Sequence, residues 1–163
     1  MKEKRHYTNQ ERRRIYAAPK VKLKNVPAVP KHKERSDIQN RRELIRCALK
    51  SLAKPIYCTA LKSNVSVIKK GVEETVRYAS ISQSSTMFAL NLTDILREAV
   101  YVCELEPHNQ NQAPFKSMHL LICPVKRYGY AKIVIGEFYD NTKDLPKYSH
   151  YCITKISLKQ IKK

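Results

Sequence analysis

Apolar residues recur along the chain with two different periods, and the change from one to the other divides it. In the first half the spacing is helical. Leu44, Ile45, Ala48, Leu49 and Leu52 share one face of a helix, and Arg42, Arg46 and Lys50 lie on the opposite face. Ser36-Asp37-Ile38-Gln39 has the form of a capping box that opens this helix, and Lys54-Pro55 closes it, because a residue before proline avoids the α region. Residues 56–61 are β-branched or aromatic in part and read as a strand. Residues 65–80 read as a second helix, with Val72, Val76 and Ala79 on one face and Gly71 near its start, where glycine costs about 1 kcal/mol relative to alanine. Residues 84–99 continue the helical spacing, with Asn91 as a local cap for LTDILREA. Period two then takes over. Residues 101–106, 118–126, 131–140 and 148–156 are four β-rich runs, and Arg127-Tyr128-Gly129-Tyr130 is a hairpin-length link between the middle two. Helices followed by antiparallel strands predict an α+β domain, with N-terminal helices packed on one face of a four-stranded antiparallel sheet.

Residues 1–35 lack this periodicity. They carry prolines at 19, 27 and 30 and the cluster Arg12-Arg13-Arg14, and they read as a flexible basic arm preceding an α+β domain at 36–163. Tyr7 and Tyr16 are candidates to stack on bases from it. Charge sharpens this picture. The chain of 163 residues has 32 Lys and Arg against 14 acids, a formal charge of +18. Sixteen of those cations, against five acids, fall in residues 1–50. A surplus this large exceeds the ~2–8 that solubility asks of a small domain, and it points to a polyanionic partner whose phosphates release counterions on binding.

The five cysteines, Cys47, Cys58, Cys103, Cys123 and Cys152, have no CxxC spacing, and each sits in an apolar run. They read as reduced, buried thiols of a cytoplasmic protein, not as a disulfide scaffold. No apolar run approaches the ~18 residues of a membrane span, so no membrane partner is expected. No P-loop, GxGxxG, GxSxG or paired-carboxylate pattern occurs, which leaves hydride and nucleotide-dependent phosphoryl transfer without support.

The strings SNVSVIKKGVEETVRYAS, NLTDILREAVYV, PVKRYGYAKIVIGEFYD and KYSHYCITKI resemble the barnase/EndoU/colicin/RelE-like nuclease domains of phages and mobile elements, closest to those attached to large polyvalent proteins. The resemblance covers roughly residues 56–158. It implies helices followed by a four-stranded antiparallel sheet with an RNA site on the exposed face. Such domains often carry a Lys-His pair at the start of the second helix; Lys69-Lys70 stands at the matching positions, without the histidine.

Metal-independent RNA cleavage needs a base for the ribose 2′-OH, a cation for the phosphoryl oxygens and an acid for the leaving oxygen. Strict alternation in the last strand puts His150, Cys152 and Thr154 on one face, with Tyr151 and Ile153 toward the core. His150 is then a candidate acid or base and Thr154 a phosphate donor, with His119 approaching from a neighbouring strand and Lys69 and Lys70 as phosphoryl cations. Arg12, Arg13, Arg14, Arg42, Arg46, Lys126, Arg127 and Lys132 are candidate phosphate contacts. His119 with Cys123, or His150 with Cys152, makes only two-ligand pairs, so neither a metal nor another cofactor is expected. The leading expectation is a nuclease-like RNA-binding domain acting without metal. Its rivals are a non-catalytic nucleic-acid binder and an accessory protein that meets an acidic immunity or partner protein.

Overall fold

The four strands expected in the second half form, and two more join them. The computed structural model describes residues 6–108, 112–139 and 146–162. In chain order the elements are α1 (Asn9–Ala17), α2 (Arg35–Lys50), β1 (Ile56–Cys58), β2 (Ser63–Val67), α3 (Lys69–Ala79), α4 (Gln83–Leu90) and α5 (Leu92–Glu98). There follow β3 (Val100–Leu105), β4 (Phe115–Val125), β5 (Gly129–Phe138), β6 (Tyr148–Ile156) and α6 (Leu158–Lys162). The sheet has the order β1-β2-β6-β5-β4-β3. Every neighbouring pair is antiparallel except β2 with β6, which is parallel. The expected four-stranded antiparallel sheet with helices on one face is therefore corrected to a six-stranded mixed sheet with helices on both faces.

The difference lies in residues 65–80, which divide between a strand and a helix. Val65, Ile68, Val72 and Val76 keep helical spacing, yet Val65 and Val67 are β-branched and extend from the turn at Lys62 (φ 50°) as β2, and the helix starts only at Lys69. Residues 56–61 contribute only β1, paired to β2. The chain then crosses into the parallel pairing through Ser66 opposite Ser149 and Val67 opposite His150.

The main core lies between one sheet face and α2–α5, where Ile45, Leu49, Val72, Phe88, Leu92, Leu96, Leu121, Ile133 and Ile153 are buried together. A second, smaller cluster covers the other face. There α1 and α6 bring Ile15 and Ile161 onto Leu120, Ile122 and Ile156.

What reads as a flexible arm is folded from Tyr7 onward among the described residues. Thr8-Asn9-Gln10-Glu11 is a capping box that opens α1, with Glu11 N donating to Thr8 Oγ1 (3.1 Å) and Thr8 N to Glu11 Oε1 (2.9 Å). Ser36, by contrast, lies inside α2, whose N-cap is Glu34 with no side-chain cap bond. Between α1 and α2 the chain is a strap held by its backbone. Val21 N donates to Pro124 O (2.9 Å) and Lys126 N to Val21 O (2.8 Å). Asn91 is the N-cap of α5 as expected, but its side chain makes no cap bond and holds the strap, accepting from Asn25 N (2.9 Å) and donating to Asn25 O (2.7 Å). Leu23 and Val29 are buried on the strap's inner side.

Helices also seal the edge of β6 where β2 leaves it. Ser85 Oγ accepts from Lys155 N (2.9 Å), and α3 packs so closely that a Cβ on Gly71 would stand 1.9 Å from the His150 carbonyl oxygen. Gly71→Ala is therefore expected to lose about 2–3 kcal/mol net of its helix-propensity gain, because backbone must move against backbone. The midpoint of urea unfolding measures it, and a variant as stable as the parent would mean that α3 is not seated on β6 in this way.

Candidate acid-base cluster and basic surface

His119 and His150 stand in one transverse row of the sheet, Glu104-His119-Ile135-His150-Val67, read across β3, β4, β5, β6 and β2. They are two strands apart, about 10 Å, with Ile135 between them. Their surroundings differ. His150 is completely buried, neither ring nitrogen makes a well-formed hydrogen bond among the described residues, and burial pushes its pKa down to about 4, the nearby Cys152 backbone opposing the shift only in part. It is a neutral core residue that no substrate reaches.

The expected open face for His150 is corrected by one residue. Between the pairs Val134–Cys152 and Ile135–His150 the register shifts, leaving Tyr151 as an extra residue in β6. His150 thereby joins the face of Ile135 and Ile153 under the helices. Cys152 and Thr154 turn to the other face, where Thr154 lies opposite Lys132. Of the expected group, Thr154 and Lys132 do meet, but away from both histidines.

His119 belongs to a polar cluster at the end of the sheet. Its Nε2 is 2.7 Å from Glu137 Oε1, and its Nδ1 is 2.9 Å from the Tyr101 hydroxyl. Ser117 Oγ lies 3.4 Å from both Nε2 and Glu137 Oε1, and the Tyr148 ring meets the imidazole edge-on at 5.7 Å. Lys116 Nζ pairs with Glu137 Oε2 at 2.9 Å. Burial pushes the Glu137 carboxyl up, but the Lys116 ammonium and the His119 hydrogen bond outweigh it and hold the group below its ordinary range. Tyr101 moves the other way, up to about 12, through burial and then the nearby Glu104 carboxylate. Exposed Glu104 completes the cluster, its carboxylate within 4.8 Å of the His119 and Glu137 ligand atoms. An imidazole held on one nitrogen by a carboxylate and on the other by a hydroxyl can bind a cation or relay a proton. Sequence reasoning found only His119. The signal for Glu137 was present in the run IVIGEF, where a carboxylate interrupts an apolar strand.

Three of the eight expected phosphate contacts have structural work. Arg14 donates to the free edge of β3 at Tyr101 O (3.2 Å) and Val102 O (2.8 Å). Arg12 bonds Tyr7 O and the Asn9 side chain, and Arg46 bridges Glu43 (3.0 Å) and Glu73 (3.5 Å) between α2 and α3. Arg42 is half-buried, and its buried Nε has no partner among the described residues. Lys69 is exposed and Lys70 half-buried at the start of α3, and Arg13 is exposed on α1. The cysteines divide too: Cys58 and Cys123 are buried as expected, Cys103 and Cys152 are half-buried, and Cys47 is exposed.

Free cations do converge at the β4–β5 hairpin. Lys126 and Arg127 form its turn, Arg127 with φ 75°. The strap pairing of Val21 with Val125 sets Lys20 and Lys22 beside them, and the Lys155 side chain lies over Gly129. All five are exposed, and among the described residues none is in an ion pair. This basic tip lies seven residues along β4 from His119, about 23 Å.

A family model described as large polyvalent protein-associated domain 3 matches residues 36–151, a span that contains Glu104, His119 and Glu137. No curated protein and no solved structure matches the chain. No described helix is long and apolar enough to cross a membrane.

Proposed function

The chain belongs to the large polyvalent protein-associated domain 3 family, a phage- and mobile-element-associated domain, and from that premise we propose that it is a nucleic-acid-binding protein that holds the phosphate backbone of RNA on its basic tip. The observation that carries this reading is the meeting of Lys20, Lys22, Lys126, Arg127 and Lys155 at one end of the sheet, none of them in an ion pair among the described residues. Phosphates supply the counter-charge such a surface lacks, and binding releases their condensed cations.

Binding stands ahead of cleavage. Of the two candidate histidines on the sheet, His150 is sealed in the core, which leaves His119. His119 sits among carboxylates, about 23 Å from the cations that hold phosphate. That is a poor arrangement for a polyanionic substrate at the imidazole.

Fluorescence anisotropy with labelled single-stranded RNA, at several salt concentrations and in EDTA, tests the reading. Each phosphate contact contributes about 0.7 to the slope of log K against log salt for a single strand. The double variant Lys126→Ala, Arg127→Ala is expected to bind more weakly at low salt and to lower that slope by about 1.4. An unchanged slope would remove the tip as the binding surface. Loss of the intact RNA in EDTA would restore the nuclease reading, and a matched DNA strand reports the preference for ribose.

A further inference from the structure

We propose that Glu104, His119 and Glu137 form a binding site for one divalent first-row metal ion. The three side chains come from three adjacent strands, and their ligand atoms already lie within 4.8 Å of one another. Metal–ligand bonds of about 2.0–2.2 Å bring such atoms roughly 3 Å apart, so only the exposed Glu104 carboxylate has to close in. Its exposure makes that movement cheap.

Three further observations point the same way. The His119 Nε2 and Glu137 Oε1 separation of 2.7 Å is held by a shared proton, and a cation between them replaces that proton. Nδ1 is held by the Tyr101 hydroxyl at 2.9 Å, the outer partner a ligating histidine needs to fix its ring. On binding, the imidazole proton moves from Nε2 to Nδ1 and Tyr101 changes from donor to acceptor, so no proton leaves the site. Lastly, on a chain with 32 cations and 14 acids, two carboxylates, Glu104 and Glu137, stand beside one imidazole at one end of the sheet, with Lys116 Nζ on Glu137 Oε2.

One imidazole and two carboxylates, with no thiolate, suit Zn²⁺, Mn²⁺ or Co²⁺. Three protein ligands also leave positions open for water. The site is independent of the RNA-binding tip and stands or falls without it.

The test uses the full, tag-free chain, stripped with EDTA and dialysed, and titrated calorimetrically with Zn²⁺ and with Mn²⁺. One equivalent is expected to bind, and the ¹⁵N resonances of His119 are expected to exchange roles, Nε2 becoming the unprotonated nitrogen. Glu104→Gln leaves the buried network in place and is expected to weaken binding at least about tenfold. Tyr101→Phe, acting through the imidazole, is expected to weaken it about tenfold. Absence of saturable binding, or Glu104→Gln binding like the parent, would overturn the proposal. So would loss of binding in Cys47→Ser, since that would place the ion on the exposed thiol.

Discussion

Arg41→Met is expected to lower stability by about 4 kcal/mol, the largest effect of any substitution considered for this chain. Arg41 is completely buried on α2, and no carboxylate pairs with it among the described residues. Its charge is held by carbonyls. Nε donates to Ser80 O (2.7 Å), and Nη1 donates to Pro30 O (2.9 Å) and His32 O (2.8 Å). Ser80 is the C-cap of α3, so the guanidinium also sits at the negative end of that helix dipole. Methionine fills much of the volume but leaves three carbonyls without their donor, each worth roughly 1–3 kcal/mol when buried. Arg41→Lys keeps the charge and loses the planar fork, and it is expected to recover less than half of the loss. Chemical denaturation of the three proteins measures both. A methionine variant within about 1 kcal/mol of the parent would show that the strap is not held to the helices through this residue.

The second large effect is with pH. His150 has its pKa pushed down to about 4 by burial, from an ordinary value near 6.5. Between those values the unfolded chain binds a proton that the folded chain refuses. Stability is therefore fully present above about pH 6.5 and falls as the pH drops toward 4, by about 3 kcal/mol in all, after which this group contributes no further change. His150→Leu removes the group, and its stability should decline less between pH 6.5 and 4 than that of the parent by about this amount. Parallel slopes in the two proteins would mean that the ring takes up its proton in the folded state.

The expectation of an exposed His150 was reasonable from the sequence. Strict alternation in SHYCITKI sets His150 beside Cys152 and Thr154. The bulge at Tyr151 breaks that parity, and a bulge is fixed by the pairing of β6 with β5, which the strand alone does not specify. Arg41 carries a comparable lesson. It stands one turn before Ile45 on the apolar face of α2, and periodicity alone assigns an arginine there to the surface, since its partners come from the strap and from α3. At Gly71, by contrast, the oddity was visible. A glycine early in a helix had a cost without a reason until β6 supplied one.

By itself the sequence determined the four long strands, the helical character of the first half and the basic surplus, because residue periodicity and charge are local quantities. It also contained the Thr8–Glu11 capping box, unread because the surrounding prolines and arginines look like a tail. Only the tertiary structure decided the rest. The parallel pairing of β2 with β6 turns a four-stranded sheet into a mixed one of six strands. The strap's pairing at Val21 carries two lysines to the hairpin tip, and the register of β3, β4 and β5 places Glu104, His119 and Glu137 side by side. Each of these joins residues far apart in sequence, where loop closure and register, not the preference of any one segment, set the partner.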